Sequence, residues 1–118
     1  MTIYNAMQLN TTKLIVKKSK FFGYLYLIET PEEYEKIVKE LSKEHKKASH
    51  ICTAMVFGQQ ETFKNDGEVG YPGKTLLGLL QHEGLASHLI VVVRYFGGVK
   101  LGPGGVSRAF KECGKKLF

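Results

Sequence analysis

His88-Leu89-Ile90-Val91-Val92-Val93-Arg94-Tyr95-Phe96-Gly97-Gly98-Val99-Lys100-Leu101-Gly102-Pro103-Gly104-Gly105-Val106-Ser107-Arg108 changes character twice along its length. His88 to Tyr95 is a continuous apolar run, the pattern of a strand buried on both faces of a sheet. Glycine then fills five of the nine positions from Gly97 to Gly105. A helix is predicted to start at Pro103 or Gly104 and to carry Val106, Ala109, Phe110 and Cys113 on one side. Glycines between a strand and a helix let backbone N–H groups approach a phosphate, and the helix N-terminus adds a favourable dipole. Arg94, Gly97, Gly98, Lys100, Gly102, Gly104, Gly105, Ser107 and Arg108 are therefore candidate phosphate-binding or nucleic-acid-binding residues. The competing reading is that the glycines only satisfy positive backbone dihedrals in tight turns.

A second glycine-rich segment lies upstream, Asn65-Asp66-Gly67-Glu68-Val69-Gly70-Tyr71-Pro72-Gly73-Lys74-Thr75, and also joins a strand to a helix. Asp66, Gly67, Glu68, Gly73 and Lys74 make it a candidate second loop of the site. Gly73-Lys74-Thr75 ends like a Walker loop, but Glu68 stands five residues before Gly73 and Gly67 falls one position too early, which excludes that NTPase motif. Gly102 to Ser107 approaches a dinucleotide fingerprint but ends in Ser107, without a downstream ribose-binding acid in a first βα turn. Asp66 and Glu68 are also candidates for a hard cation or for acid and base work, against a turn-forming role for Asp66-Gly67. His50 and Cys52 point to the same side of a predicted strand, and a core cysteine beside an ordinary histidine is the favoured reading. The two cysteines and His45, His50, His82 and His88 lack the paired spacings of zinc sites. Tyr95-Phe96 and Phe21-Phe22 have the chemistry to stack on bases, though paired aromatics beside strands are usually core.

Further outward, Leu76 to Leu80 fits a helix ending near Gly84. His50 to Phe57 reads as a strand that returns through Gly58-Gln59-Gln60 into Glu61 to Lys64. Thr30-Pro31-Glu32-Glu33 has the order of a capping box, so a helix is predicted from Pro31 to about Lys47, with Tyr34, Ile37, Val38 and Leu41 as its apolar stripe. Leu14 to Ile28 reads as two short strands or one bent strand, with Ser19 and Lys20 at the bend.

The 118 residues, 43% hydrophobic and 24% charged, suit one compact domain over residues 1-118. Two cysteines without a C-x-x-C pair point to a reducing, cytoplasmic setting. Met1 to Asn10 lacks the pattern of a signal peptide, and no apolar run approaches the roughly 18 residues of a membrane helix. The net charge is +6, and residues 94 to 118 hold six basic residues against Glu112 alone. Lys13, Lys17, Lys18 and Lys20 form a second basic cluster, of which Lys18 and Lys20 join the candidate site. Such clusters attract polyanions, or simply keep a small protein soluble.

The chain resembles the IMPACT family, also known as the YigZ or Impact N-terminal family. The residues that carry the resemblance are Lys18-Ser19-Lys20-Phe21, His50-Ile51-Cys52, Asp66-Gly67-Glu68 and, most specifically, Arg94 to Gly105. The middle block departs from the family's Asp-Gly-Glu-Pro, small residue, Gly-Thr-Ala-Gly: Val69 replaces the proline, Tyr71-Pro72 replaces Thr-Ala, and the loop is one residue shorter. The resemblance implies an α+β fold like the second domain of ribosomal protein S-five, with about four strands in a sheet, helices packed on it and a left-handed βαβ crossover. It implies no catalytic activity and no cofactor. Eukaryotic relatives restrain a starvation-activated kinase through an additional N-terminal domain, and many bacterial relatives carry a ferredoxin-like C-terminal domain; neither is expected within these 118 residues.

The leading expectation is a non-enzymatic cytoplasmic module that binds RNA or a ribosome-associated partner and influences translation. No catalytic residue or metal is assigned, and the oligomeric state is left open. The alternatives are a nucleotide- or phosphometabolite-binding enzyme using both glycine loops, with Asp66 and Glu68 as metal ligands or base, and a protein-binding scaffold whose glycine loops are structural.

Overall fold

The computed structural model describes residues 6–118, so the first five positions of the Met1 to Asn10 segment lie outside the described residues. The elements in chain order are β1 (Met7–Val16), β2 (Ser19–Leu27), α1 (Glu33–Glu44), β3 (His50–Phe57), β4 (Gln60–Lys64), α2 (Pro72–His82), β5 (Ser87–Tyr95) and α3 (Gly102–Lys115). They form one antiparallel sheet in the order β1-β2-β5-β3-β4, with the apolar β5 at its centre. Val91, Val92 and Val93 are fully buried, as a strand covered on both faces requires.

The sheet has five strands, in line with the reading of Leu14 to Ile28 as two strands and close to the about four that the resemblance implies. The first strand begins earlier than Leu14, at Met7. Met7 to Thr11 lie exposed, with neither Met7 nor Leu9 reaching the core, yet they continue the β1–β2 ladder from Leu14↔Phe21 out to Met7↔Leu27. Side-chain hydrogen bonds hold this edge instead: Asn10 Nδ2 donates to the Leu117 carbonyl (3.2 Å) and Thr12 Oγ1 to that of Cys113 (3.0 Å).

Period-two alternation assigns the helices to opposite faces. Phe21 and Leu25 of β2, Cys52, Ala54 and Val56 of β3, and Ile90 and Val92 of β5 pack against Leu76 and Leu80 of α2 and Phe110 and Cys113 of α3. Tyr26, Met55, Leu89, Val91 and Val93 face the other way, onto Tyr34, Ile37 and Leu41 of α1. Because β2 and β3 each pair antiparallel with β5, they run parallel to each other and are joined through α1. By the same reasoning β4 and β5 run parallel and are joined through α2. The two crossovers step in opposite directions across the sheet from strands of opposite sense, and their helices lie on opposite faces. They are therefore of opposite hand, so one of them is left-handed, an arrangement rare among βαβ units.

Two local expectations shift. The capping box does not close through Thr30; Glu33 reaches back instead, its carboxylate accepting the Glu29 N–H at 3.1 Å, and the regular helix spans only Glu33–Glu44. The first hairpin turns at Lys17-Lys18, two residues before the expected bend. Both lysines have positive φ (46° and 70°), where a two-residue hairpin favours Asn-Gly and a side chain costs about 1–2 kcal/mol per residue. Changing Lys17-Lys18 to Asn-Gly is expected to stabilise the fold by about 1–2 kcal/mol, read as a rise in the urea midpoint with unchanged slope.

Candidate functional site

The two glycine-rich segments meet at one end of the sheet. Gly70 lies so close to the Pro103 carbonyl that a Cβ there would overlap it, and Thr75 Oγ1 sits 3.2 Å from Ser107 Oγ. Between them opens a cavity of about 340 Å³ bordered by Val69, Arg94, Phe96, Lys100, Leu101 and Pro103.

Arg94 lies within this junction rather than on its surface. It is only 5% exposed. Its Nη1 donates to Glu68 Oε2 at 2.9 Å and its Nη2 to Ser19 Oγ at 3.2 Å, while the same hydroxyl accepts the Gly97 N–H at 3.2 Å. The guanidinium carbon also lies 5.6 Å from the ring centres of Phe21 and Phe96. One side chain thus joins β5, the first hairpin and both glycine loops. Its Nε has no hydrogen-bond partner among the described residues.

The acidic loop is stitched to β3. Asp66 Oδ2 accepts the Ile51 N–H at 2.7 Å, the Asp66 carbonyl lies 2.8 Å from His50 Nδ1, and the Asn65 carbonyl accepts the Cys52 thiol at 3.2 Å. His50 Nε2 is 3.5 Å from Glu68 Oε2. Glu68 and Asp66 are engaged by protein donors, and the described residues contain no group of three or more His, Cys, Asp or Glu arranged to hold a metal. Burial, reinforced by the Glu68 and Asp66 carboxylates, pushes the Cys52 thiol well above its ordinary pKa, so beside His50 it stays a neutral thiol.

The glycines divide by role. Gly73 is buried, its N–H donates to Asn65 Oδ1 at 2.8 Å, and a Cβ there would press on the Lys64 carbonyl at 2.6 Å, so the start of α2 is capped from within. Gly97 packs directly on the Lys18 backbone. Gly67, Gly98 and Gly102 hold positive φ at the surface. Gly104 and Gly105 differ: no backbone crowds them, only the Leu101 and Arg108 side chains lie near, and α3 begins without a side-chain cap. Its first turn is the open one of the two helix N-termini.

Lys74, Lys100 and Arg108 near that opening, and Lys111, Lys115 and Lys116 toward the other end of α3, are exposed, and none of them is ion-paired among the described residues. Arg108, Lys111 and Lys115 recur at three- and four-residue steps along one face of α3. Lys111 and Lys115 also border a groove of about 530 Å³ between α2 and α3, with Thr75, His82 and Ser107 on its walls.

Lys18 and Lys20 lie elsewhere, on the α1 side of Phe96, where they border a second cleft with Phe22, His45, Tyr95 and Phe96. Sequence reasoning did not find this cleft. His45 bridges two tyrosines there, with Nε2 2.6 Å from Tyr24 Oη and Nδ1 2.6 Å from Tyr95 Oη. Burial, with Glu44 and Tyr95 nearby, raises the Tyr24 pKa, which keeps it a phenol. Of the four paired aromatics, Phe21 is core, Phe22 and Tyr95 are half-buried, and Phe96 is 51% exposed. Phe96 follows the last sheet pairing, Lys20↔Tyr95, and so escapes the core.

The Impact N-terminal domain model matches residues 17–118. The IMPACT family member YvyE of Bacillus subtilis is 33% identical over 83% of this chain and 47% of its own length. The IMPACT family member YigZ of Escherichia coli is 39% identical over 80% of this chain and 50% of its own. The chain thus spans about half the length of the curated relatives it matches. A solved structure described as a hypothetical protein superposes with a TM-score of 0.84 at 32% identity, covering 95% of this chain and 58% of its own. Another, of the two-domain translational regulator Yih1, gives 0.56 at 19% identity over 99% of this chain and 48% of its own, a likeness of fold. With the Arg94 to Gly105 block in place, an Impact N-terminal match over most of its length and curated relatives at this identity, the chain belongs to the IMPACT family.

Proposed function

We propose that residues 1-118 act as a single Impact N-terminal module that binds RNA or a ribosome-associated partner in the cytoplasm and influences translation, without catalysing a reaction. The observation that carries this reading is the basic face: Lys100 and Arg108 stand by the open N-terminus of α3, Lys111 and Lys115 continue along the helix toward its C-terminus, and none of the four is ion-paired among the described residues. Phosphates would be held by Lys100 and Arg108, by the N–H groups of Gly102 and Gly104 in the first turn of α3 and by Ser107, with Lys74 at the rim and Lys18 and Lys20 across Phe96. Arg94 supports the site from inside. The likeness to a protein described as a translational regulator supports the same direction. No helix among the described residues is long and apolar enough to cross a membrane.

The Lys100→Glu, Arg108→Glu double variant tests the reading. In fluorescence anisotropy with a labelled RNA duplex, the parent chain is expected to bind more weakly as salt rises, because each phosphate contact releases counterions. The variant is expected to bind roughly 10- to 100-fold more weakly across sequences, with a salt slope shallower by about two. Salt-indifferent binding, or binding the variant retains, sinks the assignment.

A further inference from the structure

We propose that the cleft on the α1 side of Phe96 is a stacking site for one unstacked base of single-stranded RNA, with the adjoining phosphate held by Lys18 and Lys20. The inference rests on the RNA-binding reading above and deepens it, naming single strands as the ligand and assigning a second contact surface.

The cleft encloses about 320 Å³, at the lower end of the roughly 300–1,000 Å³ typical of small-ligand sites. Its walls are aromatic and its rim is cationic, which matches a flat π-system carrying one negative charge. Phe96 supplies the platform. Half its surface is open; its backbone is anchored by N–H donation to Ser49 Oγ at 2.9 Å, and the Arg94 guanidinium lies 5.6 Å from its ring centre. Behind it Phe22 and Tyr95 meet edge to face, with centroids 5.7 Å apart, and form the inner wall. The lysines come from the hairpin turn, where Lys18 holds a positive φ that asparagine or glycine adopts more readily. The fold therefore keeps a cation at a position where local backbone preference disfavours one.

The polar atoms of the wall limit what the cleft can read. A neutral imidazole has one N–H and one lone pair, and His45 commits both to Tyr24 and Tyr95. One phenolic hydrogen is left over from the three groups. Recognition then rests on stacking and charge, with that hydrogen as the only donor left beside phenol oxygens that can accept, so different bases are accepted alike. A duplex, whose bases are stacked and paired, cannot enter.

The test is fluorescence anisotropy of the whole chain with labelled uridine and adenosine oligomers and with an RNA duplex. The parent is expected to bind both oligomers with affinities within about tenfold of each other. Phe96→Leu is expected to weaken oligomer binding roughly 5- to 100-fold and duplex binding by much less. The Lys17→Asn, Lys18→Gly variant, which folds at least as well as the parent, is expected to weaken oligomer binding and lower its salt slope by about one. Oligomer binding indifferent to both variants, with duplex binding still lost on Lys100→Glu, Arg108→Glu, overturns the cleft and leaves the RNA reading standing. Equal losses on oligomer and duplex in Phe96→Leu also overturn it, since Phe96 then serves the loop and not a base. Absence of binding to every RNA overturns both.

Discussion

Glu68→Ala is expected to destabilise the fold by about 3–5 kcal/mol, because it leaves the Arg94 guanidinium buried without its counter-charge. The side chains of Arg94 and Glu68 are only 6% and 3% exposed and meet at 2.9 Å, so this is not a solvated surface pair worth a few tenths. For a chain of this length the loss corresponds to a fall in Tm of about 10–20 °C. The Arg94→Met, Glu68→Leu double variant removes both charges together and is expected to recover much of the loss, since breaking a buried pair costs more than replacing it with apolar groups. Denaturation in urea of the three chains checks this. A Glu68→Ala loss below about 1 kcal/mol means that water reaches the guanidinium and that the pair is not a clamp. The result also bears on function, because a Glu68 that carries the Arg94 charge is not free to ligate a cation or act as a base.

That clamp shows how far the sequence could be read. His88 to Tyr95 announced the central strand through apolar character alone, and Tyr34, Ile37 and Leu41 announced α1 through their spacing. Both signals are local. The role of Arg94 was not legible, because whether an arginine before a glycine loop points to solvent or to a carboxylate 26 positions earlier is settled by tertiary packing. The basic cleft was hidden for the same reason: Lys18, His45 and Tyr95 come from the hairpin turn, the end of α1 and the end of β5, and no short window contains them. The turn at Lys17-Lys18 was missed because neither residue is the glycine or asparagine that marks such turns. Only Lys100, Arg108 and the open glycines of α3 lay where local reasoning placed them, at the junction of a strand and a helix. The charge of the face therefore reads from composition, while its support does not.

Gly97→Ala is expected to destabilise the fold by about 3 kcal/mol, and Gly104→Ala to leave it unchanged or stabilise it by up to about 1 kcal/mol. The contrast follows from what a Cβ meets. At position 97 it would overlap the Lys18 carbonyl and lie 2.5 Å from the Ser19 nitrogen. Those are backbone atoms, held by the Lys20↔Tyr95 pairing and by the Ser19 hydroxyl that Arg94 and Gly97 share, so they cannot swing aside. At position 104 the near neighbour is Arg108 Nη1 at 3.2 Å, the free end of a flexible side chain, and alanine favours the helix. Thermal melts of the two variants separate a glycine that packs from one that keeps a helix end open, and equal melting points would mean that the division of roles is wrong. Binding gives the second half of the argument. Gly104→Ala keeps the fold while placing a methyl group on the open turn of α3, so a loss of RNA affinity without a loss of stability assigns that turn to the phosphate. Gly97→Ala acts through the scaffold: it parts the hairpin that carries Lys18 and Lys20 from the loop that carries Phe96 and Lys100, and stability and affinity should fall together.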